Sequence, residues 1–525
     1  MSCRSRLSVR LAHTVGAGAL VLMSLSAASA RAQNATKADN NTIMTGTGSY
    51  VGGVLPTTSG TIFFNNTLTA PRSVNPGGIQ VAALNFENTL TQAFTFNSGT
   101  LTLGAGGLTK NDSSSRTTIQ SAFVLSAPQT WNINTSELSF GNSSLTTGGN
   151  AVTIQGAGAM RFTGTTTLNS DVTIAVTGTV LATTSTSDVT LQGLNTFDQL
   201  VINSGARVTG DSIGSYGVAS AFGDGGTNSA INIGSVSANA TLVYSGTSAS
   251  TNRRFIRTTS QLAGVSNAAI EVSTPGQTLT LTGSLSVSSS GTVNSGWRFG
   301  GAGNLTIESV LPALEGAGQQ TILKDGTGTL RLSANNLYDG PTTVSAGSLL
   351  VLGQSGTNSG TGLGSVSVAA AGTLGGTGRI AGATTVSGAV SPGDGGIGTL
   401  TVANSLTWNA GQNWVFDLGA ANSADKLSLT AGSFLKGTGS GWTFDFKNST
   451  QTGTFTLVDW SGTTGFSAGD FSYVNLGGVN TGTFAVQGNA LTLVVVPEPT
   501  TIALLGSAGV AACAGWLRRR RPMGG

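Results

Sequence analysis

The side chains of this chain that could do chemistry are mostly aspartates: Asp188, Asp198, Asp211, Asp224, Asp325, Asp339, Asp394, Asp417, Asp425, Asp445, Asp459 and Asp470. Carboxylates support two reaction types here. A pair roughly 5–9 Å apart can hydrolyse a glycosidic bond. A cluster can hold calcium beside an Arg or Lys base, as polysaccharide elimination needs. These acids are scattered singly along the chain, and "SPGDGG" (Asp394) and "LYDGP" (Asp339) are turn sequences. Composition excludes other chemistry. The only His is His13 and the two Cys are Cys3 and Cys513, so residues 33–497 contain neither. That removes Ser-His-Asp and Cys-His catalysis, zinc held by imidazole or thiolate, and internal disulfides. No G-x-x-x-x-G-K-[ST] phosphate loop occurs. No catalytic residue, metal or cofactor is expected.

The net positive charge comes from the ends. Of 24 Lys and Arg, eight are Arg4, Arg6, Arg10, Arg31, Arg518, Arg519, Arg520 and Arg521. The 16 left between residues 33 and 497 face 20 acids, so the body carries −4 and offers nucleic acid no basic field. Its one basic cluster, "TNRRFIR" (Arg253, Arg254, Arg257), reads as a solvated strand edge that discourages strand addition.

Both ends read as targeting segments. Residues 1–32 have an arginine-bearing start, an apolar run from Val15 to Ala28, and small-x-small cleavage candidates ending at Ala30 and Ala32. This is a signal-peptide pattern. At the other end, Pro497-Glu498-Pro499 is expected to halt the last strand, because proline cannot donate to a ladder. Residues 500–517 follow, long enough as a helix for about 27 Å of a roughly 30 Å hydrocarbon core. Arg518, Arg519, Arg520 and Arg521 would stop transfer and keep that end cytoplasmic.

A Pro-Glu-Pro motif, an apolar helix and a terminal arginine cluster, in that order over residues 496–521, resemble the PEP-CTERM sorting signal of Gram-negative bacteria. The resemblance implies that Pro497, Glu498 and Pro499 are recognised by a membrane sorting protease (an exosortase). It also implies transient anchoring in the inner membrane, removal of the tail, and delivery to the cell surface or matrix alongside exopolysaccharide.

The elements between these ends are strands. "TLTLTGSLSV" (278–287) and "GTLTVANSLTW" (398–408) alternate apolar with Thr or Ser at period two, and Gly, Asn, Asp and Ser interrupt every few residues. Charged residues are 9% and Gly is 78 of 525. A Gly-x-Gly-x-apolar-x-apolar unit recurs at Gly156/Gly158, Gly301/Gly303, Gly326/Gly328 and, in part, Gly376/Gly378. Short strands, low charge and glycine corners predict a parallel β-solenoid over residues 33–404, with about 15–20 coils and a length of 70–100 Å. Residues 405–495 hold four of the seven Trp: Trp408, Trp414, Trp442 and Trp460. They are read as a terminating β cap, with a sugar-stacking surface as the alternative.

The stretch "GTGTLRLSANNLYDGPTTVSAGSLLVLG" (326–353) resembles the autotransporter-associated β-strand repeat. Matching positions include Gly328, Leu330, Leu332, Asn336, Tyr338, Gly340, Thr342, Val344, Gly347, Leu349 and Val351, while Ala334 and Pro341 depart from the pattern. The resemblance is strongest over 326–402. It implies an all-β, right-handed parallel β-helix on an exported protein. Autotransporters end in a large barrel, for which the tail offers no counterpart, so self-translocation is not expected. The combined expectation is a surface or matrix structural or adhesive protein meeting exopolysaccharide or other surface glycans. A β-helix polysaccharide lyase or glycoside hydrolase is the competing class, and a permanently anchored surface receptor a third.

Overall fold

The computed structural model describes residues 31–498, apart from 113–115, 170, 178, 185–186, 204, 227–228, 236–239, 260–266, 289–293, 315–317 and 354–358. The signal segment as far as Ala30, Pro499, the segment 500–517 and Arg518, Arg519, Arg520 and Arg521 lie outside the described residues. Among the described residues the only helical elements are 3-10 turns such as Thr47–Ser49, and no helix is long and apolar enough to cross a membrane. Neither the expected signal helix nor the expected transmembrane helix is therefore part of the described fold.

The period-two segments form what their alternation requires. In "TLRL" (Thr329–Leu332), Leu330 and Leu332 are buried and their neighbours half-exposed, and the same pattern recurs in strand after strand. Strands this short cannot close a core singly, so each stacks in parallel on the next. Identical side-chain types fall in register: Leu279, Leu305, Leu330, Leu349, Leu374 and Val390 form one continuous row across six coils. Burying each such side chain contributes roughly 1.5–3 kcal/mol.

The result is a parallel β-solenoid of right-handed type with about 18 turns. At ~4.8 Å per turn it is about 85 Å long. Its coil length is uneven, from 16 residues (Leu374 to Val390) to 34 (Val208 to Leu242). Nine-, ten- and seventeen-stranded sheets form its faces, and six- and three-stranded sheets continue it toward the C-terminus. The glycine corners stack as well. Gly301 and Gly326 have φ of 98° and 67°, and a Cβ on Gly328 would stand 1.8 Å from the Gly303 carbonyl oxygen one coil below. Close backbone stacking at these corners is why the unit reads Gly-x-Gly.

The aromatic-rich residues 405–495 continue the coil. Parallel pairing persists to Phe471–Leu476, which lies on Trp442–Ser449. Trp408 and Trp414 stack at 3.7 Å and are buried with Phe434, Phe444 and Phe466. Antiparallel strand pairing here involves the final strand, Ala490–Pro497, which lies between Asn480–Gln487 and Gly453–Trp460 and is antiparallel to both. Pro497 is the last residue of that strand, so the proline is within the ladder and does not halt it ahead of itself.

Candidate functional site

Asn336 is buried and ties three successive coils. Its Oδ1 accepts the Leu311 N–H at 2.8 Å and its Nδ2 donates to the Gly360 carbonyl at 2.6 Å. Its own N–H donates to the Ser359 carbonyl at 2.8 Å. Two residues on, Tyr338 is buried with its hydroxyl 2.7 Å from the Thr342 hydroxyl, and burial raises the phenol's pKa. A neighbouring corner closes over it. Gly362 has φ of 64°, and a Cβ there would sit 2.0 Å from the Tyr338 carbonyl oxygen. Lys324 is buried alongside and donates to the carbonyls of Asp325, Gly326 and Ala346, with its pKa pushed down to about 8 by burial.

Residues 322–351 match the family model of the passenger-associated transport repeat. A search of curated proteins finds no match. The repeat, an autotransporter-associated β-strand repeat, overlaps the resembling segment 326–353 over residues 326–351. Together with the coil it fits an autotransporter-like passenger β-helix.

A second copy of the repeat's clamp lies earlier in the chain. Asn195 is buried, its Oδ1 accepts the Ile174 N–H at 2.8 Å, and its Nδ2 donates to the Ala221 carbonyl at 3.1 Å. Its backbone pairs with Ser220, as that of Asn336 pairs with Ser359. Buried Phe197 stands where Tyr338 does, and a Cβ on Gly223 would lie 2.2 Å from its carbonyl oxygen. The signal is in the chain as Asn-x-Phe-Asp at 195–198 against Asn-x-Tyr-Asp at 336–339. The next-coil partners of Asn195 lie inside a long insertion at 211–230, and its preceding-coil partner stands 21 residues back against 25 for Asn336, so no fixed spacing shows the correspondence.

That insertion is held by Arg253, which donates through Nη1 to the Phe222 carbonyl at 2.7 Å and the Gly223 carbonyl at 3.1 Å. Arg253 and Arg257 are 0% and 1% exposed, and burial pushes each pKa down to about 10. The expected solvated edge is thus corrected: two of its three arginines point into the coil. Charge in a sequence does not reveal which strand face it lies on when a loop folds over that face.

The acids do not gather. Among the described residues no group of three or more His, Cys, Asp or Glu is placed to hold a metal ion. Several candidates pair with bases of neighbouring coils instead. Asp325 meets Arg298 at 2.6 Å, Asp417 meets Lys447 at 3.0 Å, and Asp459 meets Lys426 at 3.1 Å. Asp394 pairs with Arg331 and Asp470 with Lys436. Glu271 bridges Arg207 and Arg298, which prolongs the Asp325 pair into a ladder over several coils. Asp224, Asp339 and Asp445 accept backbone N–H groups in turns or between coils. Asp425 is the most perturbed, its pKa raised to about 6 by burial, with the Asp417 charge adding to the shift. It is 0% exposed, and its two oxygens accept the N–H groups of Gly398 and Asp417. A substrate has no path to it, so this carboxylate organises backbone.

At the C-terminal end a groove of about 480 Å³ is lined by Phe471, Ser472, Tyr473, Gly482, Thr483 and Phe484 among others. Phe471 and Phe484 are only 8% and 9% exposed, so their ring faces are covered by the core and offer little to a sugar. Ala32 is exposed just ahead of the first strand, Ala35–Thr36, and Pro497 and Glu498 are exposed at the end of the last.

Proposed function

We propose that this chain is a structural or adhesive β-helix protein, exported and processed at its tail by a membrane sorting protease, then placed at the cell surface or in the extracellular matrix with exopolysaccharide. The carrying observation is a coil of about 18 turns in which, among the described residues, most candidate carboxylates meet bases of other coils or turn backbone and no three gather as a metal-binding group. Function then resides in length, hydroxyl-rich faces and placement. Rows of Thr and Ser offer many weak contacts to glycans, and avidity comes from number. The passenger-type repeat supports export to the surface. Among the described residues the strands begin at Ala35 and end on Pro497, close to the two expected processing points. In this reading the protein is not an enzyme. Pro497, Glu498 and Pro499 serve as another enzyme's substrate, and Arg518, Arg519, Arg520 and Arg521 hold the tail in the inner membrane until the cut.

Intact mass of the mature form tests the placement. Loss of the N-terminus near Ala30 or Ala32, together with loss of everything beyond the Pro497 region, is the expected result. Retention of Arg518–Arg521 on the surface protein would favour permanent anchoring and overturn the sorting reading. Pull-down of the mature rod with its own exopolysaccharide, absent with a neutral control glucan, tests the partner.

A further inference from the structure

The sorting motif is built into the fold. Pro497 lies opposite Asn480 in the final antiparallel pair, and the Glu498 N–H donates to the Val479 carbonyl. That bond makes Val479 and Glu498 a hydrogen-bonded pair, so by alternation Asn480–Pro497 is a non-bonded pair and Thr481–Val496 a bonded one. The Pro497 nitrogen therefore faces the opposite edge. There the neighbouring strand begins only at Gly453, across from Val495, so the missing N–H costs no ladder bond. The Gly482 N–H fits the same alternation: it turns away from Val495 and donates to the Tyr473 hydroxyl at 3.0 Å. Pro497 is thus a strand residue and Glu498 is hydrogen-bonded to the facing chain, with no spacer between coil and motif.

Proteolysis of a folded segment follows the population of its opened form, because a protease takes an extended chain free of other partners. We propose that the terminal hairpin is a latch on the processing signal: the sorting protease acts only on the form in which Val496, Pro497 and Glu498 have peeled away from Val479, Asn480 and Thr481. The proposal rests on the sorting reading above. The geometry favours peeling from this end. Val496, Pro497 and Glu498 are exposed, whereas Leu491, Leu493 and Val495 are buried and anchor the rest of the strand.

The test follows processing of the full-length chain by intact mass over time, in membranes of the source cell that contain the sorting protease. Two variants open the latch differently. Inserting Gly-Ser-Gly-Ser between Val496 and Pro497 moves the motif out of the ladder. Thr481→Pro removes a ladder N–H opposite Val496, adds no length, and leaves the motif untouched. Each is expected to be cut at least tenfold faster than the natural chain, while the melting of the coil is unchanged. Equal rates in all three chains would overturn the latch with sorting intact. Acceleration by the insertion alone would mean that clearance from the rod, not unzipping, limits the cut, and would also overturn it. If none of the three chains is cut, the sorting reading itself fails and takes the latch with it.

Discussion

Replacing Asn336 with alanine should cost the coil about 2–5 kcal/mol. The figure follows from what the amide leaves behind. Leu311 N–H loses its acceptor and the Gly360 carbonyl loses its donor, and both bonds are buried. Each buried group left unpaired costs roughly 1–3 kcal/mol, and the missing side-chain volume adds to this. Asn336→Asp makes a sharper version. A carboxylate can still accept from Leu311, but its second oxygen then faces the Gly360 carbonyl oxygen, so the loss should be larger at pH 7 and partly recovered in acid, where the protonated acid can donate. A long stack of coils need not unfold in one step. Native-state hydrogen exchange is therefore the assay, read at amides of the coils between Leu305 and Val366 and, as an internal reference, at the distant coils around Trp131. Leu337→Ala, at a neighbouring side chain 56% exposed, serves as control and should change opening free energies by less than about 0.5 kcal/mol. A loss of under about 1 kcal/mol in Asn336→Ala, or one no larger than in the control, would refute the clamp.

Asn195→Ala should weaken the earlier coils by a similar about 2–5 kcal/mol in the same assay, and no effect there would break the equivalence of the two clamps. Gly362→Ala must place a Cβ on the Tyr338 carbonyl oxygen at a φ of 64°, so a loss of at least about 3 kcal/mol, or failure to fold, is expected by thermal denaturation. Arg253→Met should release the insertion at 211–230, because the Phe222 and Gly223 carbonyls lose their donor. At least tenfold faster nicking there by a nonspecific protease is expected, and unchanged nicking would show that the loop holds itself. Asp425 should titrate near pH 6 in a carbon-13 experiment on labelled aspartate. Its proton is held more tightly folded than unfolded, so stability falls as pH rises from about 4 to about 6, by up to about 3 kcal/mol, and is level above that. A midpoint near 4 would mean that its surroundings hydrate it.

Fold class was legible because alternation at period two and glycine corners are local properties. Leu330 and Leu332, Gly326 and Gly328 carry the solenoid wherever the chain is cut, and Tyr338 and Asn336 stand in a spacing that identifies the repeat. The second clamp was harder to see. Asn195 and Phe197 keep their own spacing, but the partners of Asn195 stand 21 residues before and 26 after it, against 25 and 24 for Asn336, and partnership across coils is not a local property. Arg253 and Arg257 misled for a related reason: a strand edge and a strand interior covered by a loop have the same sequence texture. The last strand ends at Pro497, where a halt was expected, and the proline itself is its final residue because alternation in the ladder turns its nitrogen to an empty edge.

Taken alone, the residues of this chain determined that it is a coil of short strands, that histidine and thiol chemistry have no place in its body, and that its net positive charge comes from its two ends. They could do so because alternation, corner glycines and composition act over a few residues or over all of them. Only the tertiary structure decided which acids meet which bases, which asparagines bind three coils together, and that the tail motif begins inside the last strand. Those facts depend on how far each coil travels before it returns, and coil length varies from 16 to 34 residues under no rule that a linear reading supplies.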